Sequence, residues 1–201
     1  MSNAPVSGRR ADAVRNRQLA LDAATALLAE RATPLTVEAI AKCAGLGAGT
    51  VVRAFGGKDA LLDAAVSNLL RPVVDRAKEL LANAKPERAL RTFLTDLMDF
   101  QSAYHGISDE LRGLTVPETT ALRAELESAV REMIVGAQRA GTIRTDLEAD
   151  ILTDLIGQTA FAIARSGGGL ADAYLAVLMD GLRPANPNMT IPTIPSKHSG
   201  P

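Results

Sequence analysis

The chain has 201 residues, of which 47% are hydrophobic, 22% charged and only 3% aromatic, and its formal net charge is −1. A chain of this length buries a core without metals or disulfides, and its single cysteine excludes an internal disulfide and a CxxC metal site. Ala and Leu predominate over aromatic residues, which argues against a β-sandwich or barrel. Because no apolar run approaches the roughly 18 residues of a membrane span and no signal peptide is evident, we expect a soluble, cytoplasmic protein with no membrane partner.

The net charge is unevenly distributed along the chain. Residues 1–60 contain eight Lys/Arg and five Asp/Glu, a net charge of +3, whereas the remainder contains 14 basic and 18 acidic residues, a net charge of −4. A basic head on an acidic body favours contact with nucleic acid through the head alone.

In chain order, the predicted elements are all helices. Apolar residues recur with a period near 3.6, and Pro or Gly residues separate the periodic stretches. Thr36 is the predicted N-cap of the second helix, Gly141 the C-cap of the seventh, and Pro72 is expected to kink the fourth. The sequence therefore predicts an all-α chain of about nine helices. They are expected at approximately 12–31, 37–43, 47–54, 58–81, 86–104, 108–114, 117–140, 146–165 and 170–182.

The segment 37–54 carries the pattern of a helix-turn-helix. Ala41 is small where two short helices must touch, and Gly45 tolerates the positive φ of the turn between them. Ile40, Leu46 and Val51 are apolar, and we expect them to pack both helices against the core. This spacing suits a motif whose second helix enters the DNA major groove, although an ordinary pair of core helices would share it.

Further motifs between Arg15 and Leu62 match one known family. They are Ala23-Ala24…Leu27-Leu28, Leu35-Thr36, Ile40-Ala41…Ala44-Gly45-Leu46, Gly49-Thr50-Val51 and Phe55-Gly56-Gly57-Lys58-Asp59-Ala60-Leu61-Leu62. With this spacing the chain resembles the TetR family of transcriptional regulators. The resemblance implies a dimeric repressor with a three-helix DNA-binding head and a larger helical body that dimerises and binds a small effector.

The C-terminal half resembles one subgroup of that family, the SbtR-like proteins. The similarity lies in Pro86…Leu90…Phe93-Leu94 and in the ending Asp180-Gly181-Leu182-Arg183-Pro184. The implied organisation is a flexible basic segment (1–10), a helix-turn-helix DNA-binding domain (11–57), an effector-binding and dimerisation domain (58–183) and a disordered Pro-, Ser- and Asn-rich tail (184–201).

The resemblance and the charge pattern together predict the DNA-binding residues. Positions matching Thr36, Thr50 and Lys58 usually touch phosphates in the family, whereas Arg53 is a long cation on the recognition helix that could bind guanine or phosphate. Three departures from the family pattern, Gly47, Val52 and Ala54, leave this helix small and apolar, so basic residues of the first helix would contribute more. The alternatives are a solvated lysine at position 58 and solubilising arginines near the N-terminus. The predicted residues are Thr36, Gly47, Ala48, Thr50, Arg53, Lys58, Arg15 and Arg17.

Apolar residues in the body predict an effector pocket, with a few polar side chains to orient the ligand. The same residues would equally well fill a bundle core. The predicted pocket residues are Phe93, Leu97, Met98, Gln101, Tyr104, His105, Met133, Gln158 and Phe161.

The last two predicted helices carry a wide apolar surface. In the family the equivalent helices form a four-helix dimer interface, and a two-fold dimer presents two recognition helices to a palindromic site. The predicted interface residues are Leu152, Leu155, Ile156, Thr159, Ile163, Tyr174, Val177 and Leu178.

These observations predict a homodimeric repressor that an apolar or amphipathic effector releases from a palindromic operator in double-stranded DNA. The alternative is a small-molecule-binding protein on the same scaffold that has lost specific DNA recognition, which Val52 and Ala54 motivate. A helical enzyme is a weaker rival, because the sequence offers no nucleophile–base pair and too few histidines for a His-rich metal site. No cofactor or metal is expected.

Overall fold

The computed structural model describes residues 6–30, 35–104, 116–166 and 170–184. These residues form eight α-helices and no strand, which confirms the predicted all-α class. The predicted helix at 108–114 and the tail from residue 185 lie outside the described residues. The helices are α1 (Val6–Ala29), α2 (Val37–Ala44), α3 (Ala48–Phe55), α4 (Lys58–Asn83), α5 (Pro86–Ala103), α6 (Pro117–Arg139), α7 (Ala149–Ser166) and α8 (Ala171–Gly181).

The helix ends follow the predicted capping signals, with one difference at the N-terminus. Thr36 caps α2 by accepting the amide N–H of Ala39 at 3.1 Å, and Gly45 and Gly141 adopt φ values of 67° and 68° just after α2 and α6. Helix α1 begins at Val6. Residues 6–10, expected to belong to a flexible segment, are therefore part of α1.

Two apolar clusters form the interior, and α4 and α6 belong to both. The first cluster joins α1, α2 and α3 to the first half of α4 and also contains Val116 and Leu122 at the start of α6. The second joins the end of α4 to α5, α7, α8 and the rest of α6. The first core therefore continues past residue 57, the predicted end of the DNA-binding domain, because α4 closes that core.

Helix α4 carries polar residues on its buried side. It continues through Pro72, whose missing N–H leaves the Asn68 carbonyl without its usual helical donor. Asp63 and Ser67 are buried and fall at helical spacing on the same stripe as Leu70. A buried carboxylate on an apolar stripe requires hydrogen-bond partners, and α6 supplies them.

Asp63 caps the N-terminus of α6 from outside that helix. Its two carboxylate oxygens accept the amide N–H groups of Glu118 and Thr119, at 3.1 and 2.7 Å. The Ser67 and Thr119 hydroxyl oxygens lie 3.3 Å apart in the same buried network. The residue at the local N-cap position, Val116, has no polar side chain, so this carboxylate satisfies two amides that begin α6.

Candidate DNA-binding face and effector cavity

Helices α2 and α3 form a helix-turn-helix packed on α1. Ile40, Ala41 and Val51 are buried in the first core, as their spacing predicts. The turn is closed by the amide of Leu46, which donates to the Ala41 carbonyl at 2.8 Å across Gly45. This packing fixes which face of α3 is turned away from the protein.

The outward face of α3 carries one cation and one apolar side chain. Gly49, Val52 and Arg53 are exposed, and Arg53 donates from Nη2 to the Thr50 hydroxyl at 3.3 Å. A guanidinium can bind guanine or phosphate, whereas an aliphatic side chain can contact the methyl group of thymine. Val52, which is 43% exposed, is thus a candidate base-contacting residue, although the sequence marked it only as a departure from the family pattern.

The other predicted phosphate-contacting residues begin neighbouring elements. Thr36 is exposed at the start of α2, and its hydroxyl oxygen accepts the Ala39 amide, so the hydroxyl hydrogen can still be donated to a phosphate. Gly47 is the N-cap residue of α3 and makes no side-chain capping hydrogen bond, and Ala48 is the first residue of α3. Lys58 opens α4 and is half-buried.

Arg17 contacts two residues of α3 that are far from it in the sequence. It donates from Nη1 to the Ala54 carbonyl at 2.7 Å, and its guanidinium carbon lies 4.0 Å from the centroid of the Phe55 ring. Both partners are at the C-terminal end of α3, where a cation also meets favourable helix-end charge. Arg15 and Arg17 are both exposed on α1, but only Arg17 has these contacts with the end of α3, so we interpret Arg17 as a residue that positions the recognition helix.

We expect Arg17→Ala to weaken operator binding about three- to tenfold, because α3 loses a hydrogen bond and a cation–π contact that hold its end. Arg17→Lys should behave similarly, since lysine lacks the planar fork. If Arg17 acts by positioning, the slope of log affinity against log salt stays unchanged. Arg15→Ala, as a matched loss of charge from the same helix, should lower that slope if Arg15 meets phosphate. A lowered slope in Arg17→Ala, with the slope retained in Arg17→Lys, which keeps the charge, would contradict the positioning role.

A cavity of about 480 Å³ lies between α5, α6 and α7. Four predicted pocket residues line it, namely Leu97, Gln101, Gln158 and Phe161. The remaining lining residues are Arg123, Leu126, Glu127, Val130, Thr153, Asp154, Ile156, Gly157 and Ala160.

The other predicted pocket residues do not line this cavity. Phe93, Met98 and Met133 are buried in the second core, as the core-filling alternative stated. The Tyr104 ring packs against Phe100, with centroids 5.2 Å apart, beside the first core. His105 lies outside the described residues.

Three charged lining residues were missed, of which Arg123 is the cation. Arg123 and Glu127 are four residues apart on α6, next to its apolar stripe at Leu122 and Leu126, and that adjacency was the available signal. The surrounding protein lowers the pKa of the Arg123 guanidinium by removing water, and Glu127 partly opposes that change.

The predicted dimer surface divides into inward and outward residues. Four of the predicted residues have side chains that are buried in the second core of their own chain: Leu152, Ile156, Ile163 and Leu178. The others face outward or are half-buried: Leu155, Thr159, Tyr174 and Val177. Ile151 and Leu170 add to the exposed apolar surface of this region, which includes Leu155 at 47% and Val177 at 74% exposure.

None of the described helices has the length and apolarity needed to cross a membrane. Among the described residues, no group of three or more His, Cys, Asp or Glu side chains is placed so that it could bind a metal ion.

Two family models match this architecture. Residues 20–65 match the model described as "Bacterial regulatory proteins, tetR family", and residues 85–184 match "Transcriptional regulator SbtR-like, C-terminal domain". The first covers the helix-turn-helix, and the second covers the cavity and the exposed apolar surface.

Individual relatives agree with these matches. The chain is 28% identical over 194 residues to the HTH-type transcriptional repressor KstR2 of Rhodococcus jostii (strain RHA1), covering 88% of this chain and 92% of that protein. A TetR transcription regulatory protein from Mycobacterium vanbaalenii is 33% identical, with a TM-score of 0.59 over 87% of this chain and 98% of that one. FadR of Bacillus subtilis, solved in complex with stearoyl-CoA, is 18% identical with a TM-score of 0.64, over 83% of this chain and 99% of that one. The chain belongs to the TetR family of transcriptional regulators.

Proposed function

We propose that the protein is a homodimeric repressor that leaves its operator when a small apolar or amphipathic effector fills the cavity between α5, α6 and α7. The observation that carries the proposal is the course of α6. This helix lines the cavity along its middle, and its N-terminus is held by Asp63 of α4, the helix that closes the DNA-binding head. A displacement of α6 by a ligand therefore acts directly on the support of the recognition helix.

The exposed apolar surface of α7 and α8 supports the dimer. Ile151 and Leu155 lie one helical turn apart on α7, and Tyr174 and Val177 are exposed on α8. Pairing these helices with those of a second copy would bury side chains that are otherwise in water. A two-fold dimer would present two α3 helices to half-sites about one DNA turn apart, which requires a palindromic operator.

The DNA-facing residues in this proposal are those of the exposed face of α3, together with Thr36, Thr50 and Lys58. Repression agrees with the role of the similar R. jostii protein, which is named a transcriptional repressor. The stearoyl-CoA of B. subtilis FadR is a ligand of that protein, and the low identity of the two chains leaves the effector of this one to be argued from its own cavity.

The decisive experiment selects genomic fragments with the purified full chain and measures their affinity by mobility shift. We expect a palindromic fragment bound by one dimer, with an affinity that falls steeply as salt increases. Metabolite extract should release the fragment from the wild-type protein. Binding of all fragments with equal affinity would overturn the proposal and favour the alternative, a ligand-binding protein without specific DNA recognition.

A further inference from the structure

The cavity between α5, α6 and α7 contains a single basic residue among its described lining residues. Most of its lining is apolar, including Leu97, Val130 and Phe161, and Gln101 and Gln158 provide neutral polar groups. Among the described residues, Arg123 is the one cation that lines the cavity. Its side chain is also exposed to solvent. A ligand can therefore meet the guanidinium while its apolar part lies deeper in the cavity.

Arg123 forms no salt bridge with any residue that the structure describes, in contrast to the cations around it. Lys78 of α4 pairs with Glu125 of α6 at 2.6 Å, and Arg131 of α6 pairs with Asp150 of α7. The protein around Arg123 removes enough water to lower the pKa of its guanidinium, even though Glu127 lies on the same helix. A partly desolvated cation without an ion-pair partner gains free energy when an anion binds it.

The cavity also carries two acidic residues, Glu127 of α6 and Asp154 of α7. Glu127 and Asp154 also line a second depression between α6 and α7, which they share with Arg131. Arg123 lines the first cavity and is not among the residues of that depression. Of the two acids, Glu127 lies one helical turn from Arg123 on α6 and partly opposes the lowering of its pKa, whereas Asp154 belongs to α7.

We propose that the effector is an amphipathic organic anion, with a carboxylate or phosphate group bound by Arg123 and an apolar chain in the cavity. The inference rests on the proposed function only in taking this cavity as the effector site. Guanidinium binds both groups through two parallel hydrogen bonds, so the two sources share one chemistry. The apolar lining supplies affinity for the chain, and the cation selects the sign of the head group.

The test compares decanoate, decyl phosphate, decanol and decyltrimethylammonium as ligands of the full-length protein, measured by calorimetry without DNA. We expect at least one of the two anions to bind about tenfold or more tightly than decanol, and the ammonium compound to bind most weakly. The anion that binds more tightly shows whether the site prefers a carboxylate or a phosphate head group. Equal binding of the anions and decanol, or preference for the ammonium compound, would overturn the inference.

The matched variants are Arg123→Gln and Arg139→Gln, which each remove one exposed arginine from α6. Arg139 lies in the last turn of α6 and does not line the cavity. Arg123→Gln should abolish the preference for anions while decanol binding stays unchanged, and Arg139→Gln should retain the wild-type pattern. Anion preference that survives Arg123→Gln would overturn the assignment. Because no DNA is present, these outcomes are separate from operator release: anion binding that leaves the operator bound would contradict the proposed function alone.

Discussion

Replacing Arg53 by alanine is expected to cost about 1–3 kcal/mol of operator binding for each half-site, because a base-edge or phosphate contact of a guanidinium is worth that much. Arg53 is the one Lys or Arg residue of α3, and it is exposed on the face turned away from the first core. The cost doubles in a dimer if the two half-sites act independently. Competition mobility shifts at fixed salt, with the wild-type operator, measure the loss.

The sequence dependence of the loss distinguishes the two roles of Arg53. If the guanidinium reads guanine, Arg53→Ala also relaxes the preference at one operator position, whereas a phosphate contact weakens all sequences equally. Arg139→Ala removes an exposed arginine remote from α3 and should leave operator affinity unchanged. Wild-type affinity in Arg53→Ala would refute the proposed docking of α3.

The DNA-binding head was largely predictable from the sequence because its signals are local. The cap at Thr36, the turn at Gly45 and the buried side chains of α2 and α3 follow from spacing over a few residues. Arg17 was not predictable in the same way. Its partners, Ala54 and Phe55, are remote along the chain, and only the crossing of α1 over α3 brings them together.

The body was less predictable, because helical periodicity identifies apolar positions without stating which neighbour covers them. On α7, Leu152 and Ile156 fill the core of their own chain, whereas Ile151 and Leu155, one residue away from each, are exposed. A helix with apolar residues on both sides gives no sequence signal for which side faces a partner. The same limitation explains why Phe93 and Met98 were predicted to line a cavity that they do not reach.

Asp63 shows how one long-range contact links the head to the body. The acid interrupts an apolar stripe of α4, which is a visible anomaly in the sequence, but its partners at Glu118 and Thr119 are set by the packing of α4 on α6. Two ion pairs, Arg71 with Glu118 and Lys78 with Glu125, join the same helices at exposed positions. Exposed pairs contribute little stability, so the buried carboxylate is the principal polar connection.

Replacing Asp63 by alanine is therefore expected to lower the free energy of unfolding by about 2–4 kcal/mol, because two amides of α6 lose their acceptor inside the protein. Asp59→Ala, which removes an exposed acid from the first turn of the same helix, is the matched control and should change stability by less than about 0.5 kcal/mol. Urea unfolding at neutral pH measures both. Equal stability of the two variants would contradict the capping role.

The pH dependence of stability provides a second, independent measurement of the same contact. Burial alone raises the pKa of the Asp63 carboxyl, but hydrogen bonds from the Thr119 hydroxyl, the amides of Thr119 and Glu118, and the Ser67 hydroxyl outweigh it, so the pKa lies below its ordinary value of 3.8. A lowered folded-state pKa gives stability that is complete above the unfolded-state pKa and is lost as pH falls through the folded-state pKa. Wild-type stability should therefore decrease more steeply than that of Asp63→Ala below about pH 4. Because α6 also lines the proposed effector cavity, Asp63→Ala should in addition reduce the factor by which metabolite extract weakens operator binding, whereas Asp59→Ala should preserve it.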